Sequence, residues 1–132
     1  MIFIYKILIL FAMFYMHIID DYVLQGILAN LKQKRWWKEH SSAELYKHDY
    51  TIALIEHAFS WSFSISIPLL ITGLLLQNHL LIINCCYSYI YNTIIHAIVD
   101  NLKANEYKIN LITDQCIHFI QIIATWLICM AV

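Results

Sequence analysis

The stretch LLIINCCYSYIYNTIIHAIV, residues Leu80 to Val99, runs for 20 residues without an Asp, Glu, Lys or Arg. A helix needs about 20 mostly apolar residues to cross the hydrocarbon core of a bilayer. Three further stretches have the same character. Residues 1–19 carry one charge, Lys6; residues 50–76 carry one, Glu56; residues 109–132 carry one, Asp114. Spans are therefore expected at about 2–22, 50–76, 80–102 and 110–131. Between them lie a polar segment at about 31–49, a short turn at Gln77-Asn78-His79 and a loop at Lys103–Lys108. The expected fold is all-α: a polytopic membrane protein with four transmembrane helices in one compact bundle covering residues 1–132.

Composition agrees. The 132 residues are 61% hydrophobic and 13% charged, against roughly 45–50% and about 25% in soluble domains. That excludes a disordered chain and a nucleic-acid binder driven by bulk positive charge. The first stretch resembles a signal peptide in having a lysine before the apolar run Ile7–Met16. No small-residue cleavage site follows, only His17-Ile-Ile-Asp20-Asp21, so it reads as an uncleaved span.

Of the eight Lys and Arg, Lys32, Lys34, Arg35, Lys38 and Lys47 fall between the first two spans, and Lys103 and Lys108 between the last two. The second turn has none. The rule that basic loops stay inside puts both basic links in the cytosol and both termini on the other side of the cytoplasmic membrane. Trp36 and Trp37 beside the basic cluster suit an interfacial anchor, and the cluster itself suits a solvated loop or anionic headgroups. The residues beyond the first span, 22–33, read as an amphipathic helix outside the bilayer. Cys85, Cys86, Cys116 and Cys129 all fall within spans and read as small buried hydrophobes.

The few ionisable residues inside the spans come in pairs four apart: His17 with Asp21, His96 with Asp100, and Asp114 with His118. That spacing puts both members on one helical face. The second span adds Glu56-His57, of which one at most can face the same interior. Their depths agree. His96 precedes Lys103 by seven residues and His57 follows Tyr50 by seven, each about 10 Å of helix. Asp114 and His118 follow Lys108 by six and ten residues, about 9 and 15 Å. Unrelated structural polar residues have no reason to share a level.

Charged groups in a membrane are costly and mark function by default. Imidazole and carboxylate together suit one or two divalent ions of Zn, Mn or Fe, with His17, Asp21, His96, Asp100, Asp114 and His118 as candidate ligands. His57 and Lys103 are the candidate catalytic side chains, Lys103 for stabilising developing negative charge. Lys103 and Lys32 also read as plain interfacial charges, Gln25 and Gln121 as helix–helix hydrogen bonds, and His40, His48 and His79 as loop histidines. Asp20 competes with Asp21, but only Asp21 shares the face of His17. A structural polar network and a proton or ion path remain open beside the metal reading.

The pieces H-x-x-x-D-x-x-L-Q (His17, Asp21, Leu24, Gln25), a following Lys32 or Lys34, the central His57, H-x-x-x-D-x-x-K (His96, Asp100, Lys103) and D-Q-x-x-H (Asp114, Gln115, His118) resemble a family of small bacterial and phage integral membrane proteins of unknown function. The resemblance spans nearly the whole chain. The family usually has Gly where this chain has Asp20. It implies an integral membrane protein and carries no activity. A fainter likeness to membrane-bound metal-dependent hydrolases is analogy only.

Three functions fit. The first is metal-dependent hydrolysis of a phosphoester or similar polar ester, membrane-associated or cytosolic. The second is an ion or proton-coupled transporter or channel, although only Pro68 offers a helix break. The third is a non-catalytic phage effector acting on a host membrane protein. The lipid bilayer is the expected partner, with no nucleic acid. The serines of Ser60–Ser66 provide small residues for close helix contact, and a homodimer is compatible with so small a chain.

Overall fold

A computed structural model describes residues 2–41 and 43–131. Six helices follow one another: α1 Ile2–Ile19, α2 Leu28–Leu31, α3 Lys34–His40, α4 Asp49–Leu75, α5 His79–Ala104 and α6 Leu111–Met130. Among the described residues, four segments are long and apolar enough to cross a membrane: Ile4–Leu24, Glu44–Leu75, His79–Ala104 and Leu111–Met130.

The four long helices close a ring, with α1 against α4 and α6, and α5 against α4 and α6. Among the described residues, sixteen polar or charged side chains are buried against thirteen apolar ones, while large apolar residues such as Ile4, Phe11, Phe59 and Ile120 face outward. A water-soluble domain sorts its residues the other way. This distribution suits lipid outside and hydrogen-bonded polar groups between the helices. Met13, Trp61, Ile65, Leu69 and Ile122 form the apolar part of the interior.

Local chemistry explains the joints. Asn78 caps α5, its Oδ1 accepting from Leu81 N at 3.0 Å, and Asn110 caps α6 by accepting from Thr113 N at 2.9 Å. Gly73 lets α4 and α5 approach: a Cβ there would lie 2.7 Å from Ile82 Cγ1. Lys6 Nζ donates to Met130 O at 2.6 Å and Trp126 Nε1 to Lys6 O at 2.8 Å, so the cation in α1 caps the end of α6. Pro68 sits inside α4 without ending it. In the α5–α6 loop, Lys108 lies 2.6 Å from Glu106 and holds that carboxyl below its ordinary range.

Two expectations change. Residues 22–33 are not one amphipathic helix. A π-helical turn, Asp20–Leu24, ends at Gln25, and Gly26 at φ +48° breaks the path before α2. A left-handed residue cannot continue a right-handed helix, and glycine takes that conformation without steric cost. The cysteines also divide: Cys85 and Cys129 are buried, but Cys86 and Cys116 face outward. Cys86 follows Cys85 directly, and helical neighbours about 100° apart cannot both face one core.

Candidate metal centre

His17 lies in the last turn of α1, and Asp20 and Asp21 follow on the π turn. His57 comes from α4, His96, Asp100 and Lys103 from α5, and Asp114, Gln115 and His118 from α6. All four histidines, both turn aspartates, Asp100 and Asp114 are buried. The structure thus brings every expected site residue to one end of the bundle, where the Lys-rich links lie.

Among the described residues, two groups have atoms close enough to share an ion: Asp21, His57 and His96, and His96, Asp100 and His118. His57 Nε2 lies 3.2 Å from His96 Nε2, 3.4 Å from Asp21 Oδ1 and 3.3 Å from Asp100 Oδ2. Ligands about 2.0–2.2 Å from a metal, at right or tetrahedral angles, are about 3.0–3.5 Å apart. The spacing is therefore that of neighbouring ligands.

The second group shows why a cation suits it. His118 Nδ1 is 3.2 Å from Gln121 Oε1, and the Gln121 amide NH2 points to Asn92 O and Oδ1 at 3.4 Å each. An amide oriented that way offers His118 only an acceptor, so Nδ1 donates. In the neutral ring Nε2 then carries a lone pair. That lone pair makes no hydrogen bond, yet it faces Asp114 Oδ1 at 3.3 Å and Asp100 Oδ1 at 3.5 Å. Acceptors facing acceptors in a dry interior repel unless a proton or a metal ion sits between them.

His17 and Asp114 belong to neither group. Trp61 Nε1 donates to His17 Nδ1 at 2.7 Å, and an indole nitrogen can only donate. Nδ1 is thus the acceptor, and Nε2–H points to Gln115 Oε1 at 3.0 Å. Both ring nitrogens are engaged. Asp114 Oδ2 instead takes Lys103 Nζ at 2.5 Å, and Lys103 also lies 3.9 Å from Asp100.

Three residues sit otherwise than their sequence reading. Lys32, read as an interfacial charge, is 7% exposed and lies 2.5 Å from Asp100 Oδ2. The break at Gly26 folds its segment back over the bundle. Asp20, set aside in favour of Asp21, is fully buried and accepts the hydroxyls of Ser60 at 2.8 Å and Ser64 at 2.9 Å. The wider π turn, marked by Gln25 N donating to Asp20 O at 3.0 Å, turns both aspartates inward. Gln25 bonds its own helix, at Asp21 O, rather than a neighbour.

Gln115 belongs to the D-Q-x-x-H piece of the sequence but is assigned no role there. Besides His17, its amide reaches Asp114 Oδ2 at 3.1 Å and Asp21 Oδ2 at 3.3 Å, so it ties α1 to α6. Its place in that motif, between Asp114 and His118, is the available signal.

Away from the Lys-rich end a polar seam continues. Asn92 Nδ2 donates to Thr125 Oγ1 at 2.7 Å, Ser88 Oγ lies 4.0 Å from Cys129 Sγ, and Ser66 Oγ donates to Ser62 O at 2.7 Å.

Fold and site together define a class: a bundle of four helices long and apolar enough to cross a membrane, with a buried His/Asp cluster spaced as metal ligands are. The chain matches no protein-family model, no curated protein and no solved structure.

Proposed function

We propose that this protein is a metal protein of the cytoplasmic membrane. Asp21, His57, His96, Asp100 and His118 hold one divalent ion of Zn, Mn or Fe near the cytosolic face. The observation that carries the reading is the convergence of His96 Nε2 and the Asp21 and Asp100 carboxylates within 3.2–3.4 Å of His57 Nε2, beside the unpartnered His118 Nε2 that faces Asp100 and Asp114. Charge supports the same stoichiometry. Four carboxylates (Asp20, Asp21, Asp100, Asp114) stand against two ammonium groups (Lys32, Lys103). Two negative charges remain, and one divalent cation neutralises them.

The activity proposed for the centre is hydrolysis of a phosphoester or similarly polar ester. A bound divalent ion lowers the pKa of a water and supplies hydroxide near neutral pH. The chain's own groups do the rest. Gln121 holds the His118 ring with Nε2 free, as outer partners of metal histidines do. Trp61 stacks on His96, ring centroids 4.2 Å apart, and His96 on His118 at 4.1 Å, which fixes both rings. The Lys103 side chain is 27% exposed, against 9% or less for the site's histidines and carboxylates, so it lies where substrate would enter and can stabilise developing negative charge. The test is turnover of a chromogenic phosphoester by protein in nanodiscs, with and without chelator. No turnover by the metal-loaded protein, or turnover that survives both chelation and His96→Ala, would exclude metal-dependent hydrolysis at this centre.

The polar seam favours a second reading, an ion path. It runs from His118 through Gln121 and Asn92 to Thr125, about 10 Å further along α6. Metal uptake into proteoliposomes without ester turnover would select it.

A further inference from the structure

A second polar feature lies outside the His/Asp cluster. Residues of α3, the Glu44–Tyr46 turn and the start of α4 enclose a cleft of about 490 Å³. Its walls carry the cations Lys34, Lys38 and Lys47 and the rings of Trp37, Tyr46 and Tyr50. That volume is within the roughly 300–1,000 Å³ of ligand sites.

The rings are held in place. Trp37 Nε1 donates to Leu31 O at 2.7 Å, and the ring stacks on Tyr46 with centroids 6.0 Å apart. Lys34 Nζ lies over the Tyr50 ring at 4.8 Å, and its backbone N donates to Asn105 Oδ1 at 2.7 Å, which ties the cleft to the end of α5.

The charges do not cancel. Lys47 is paired with Glu44 at 2.6 Å, but among the described residues no carboxylate pairs with Lys34 or Lys38. The cleft therefore keeps two positive charges beside three aromatic rings, at the point where the Lys-rich segment meets a span. Aromatic rings gather at the headgroup level of a bilayer, and unpaired lysines there attract anionic headgroups.

We propose that this cleft binds the phosphate-bearing headgroup of an anionic lipid in the leaflet facing the Lys-rich end. Lys34 and Lys38 contact the phosphate, and Trp37, Tyr46 and Tyr50 line the glycerol portion. This goes beyond the metal reading and does not depend on it.

The experiment measures lipid binding to the full chain in detergent by thermophoresis, with short-chain phosphatidylglycerol, short-chain phosphatidylcholine, glycerol phosphate and inorganic phosphate as probes. Phosphatidylglycerol is expected to bind at least tenfold more tightly than each of the other three. The double variant Lys34→Gln with Lys38→Gln loses that preference. Lys34→Arg with Lys38→Arg keeps it, and so does Lys108→Gln, which removes a cation outside the cleft. Helix content and metal content of all three stay those of the parent, which separates a failure here from a failure of the metal centre. Equal binding of the two lipids overturns the proposal. So does a preference that survives the double glutamine variant, or one lost equally in Lys108→Gln. Glycerol phosphate or inorganic phosphate binding as tightly as phosphatidylglycerol identifies a soluble phosphate site and overturns the lipid assignment.

Discussion

His57 Nε2 and His96 Nε2 face each other at 3.2 Å, one from α4 and one from α5, inside a bundle whose outer surface is apolar. Two neutral imidazoles can share a single proton across that gap. They cannot do so while also satisfying Asp21 and Asp100, whose oxygens approach His57 Nε2 to 3.4 and 3.3 Å. A cation at the convergence point satisfies all four groups. Metal loading should accordingly stiffen the junction of α4 and α5. Wild-type protein is expected to gain thermal stability on adding zinc, by about 2.7 kcal/mol at 100 times the Kd. His57→Ala should abolish the gain, read as the shift in melting midpoint.

The His17 ring is held differently from the other histidines of the cluster. Its Nδ1 is held by Trp61 and its Nε2 by Gln115. His17→Ala should leave the indole N–H without its partner, costing about 1–3 kcal/mol, while the protein still takes up metal. Trp61→Phe should show the same pattern. Melting curves beside metal content check both, and loss of the metal in His17→Ala would mean that His17 is a ligand.

The buried ion pair of Lys32 with Asp100 should behave as buried pairs do. Lys32→Met leaves a carboxylate unneutralised and should destabilise by about 3–5 kcal/mol. Adding Asp100→Asn should recover much of that loss. Lys103→Met should cost less, because its side chain is 27% exposed and water screens the charge. A double-mutant cycle in detergent unfolding reads these energies.

Orientation is tested with single cysteines placed in a chain whose native cysteines are replaced by Ala or Ser. An impermeant maleimide should label Glu106→Cys only from the cytosolic side and Gln77→Cys only from the opposite side. The reverse pattern would invert the reading of the basic links.

Much of this was legible from residues alone, and the rest has identifiable physical causes. The charge-free run of Leu80–Val99 and its three companions were enough for four helices. The i, i+4 pairs His96–Asp100 and Asp114–His118 follow from helical geometry, and both helices are regular there. Asp20 was hidden because 100° periodicity holds only in an α-helix, and the chain makes a π turn at that residue. Lys32 was hidden because its burial depends on one left-handed glycine that redirects the chain. The serines read as helix-contact residues turn inward: Ser60 and Ser64 serve a carboxylate that the same π turn delivers. The division between His17 and the other histidines depends on Trp61, whose distance from His17 in sequence carried no signal.

Metal content measured by elemental mass spectrometry on protein purified after metal-replete growth tests the central claim most directly. About one Zn, Mn or Fe per chain is expected, since one divalent ion balances the two uncompensated charges. The double variant His96→Ala with His118→Ala should lose that ion, while His17→Ala keeps it. Metal-free wild-type protein, or an ion retained by the His96 and His118 double variant, would contradict that claim.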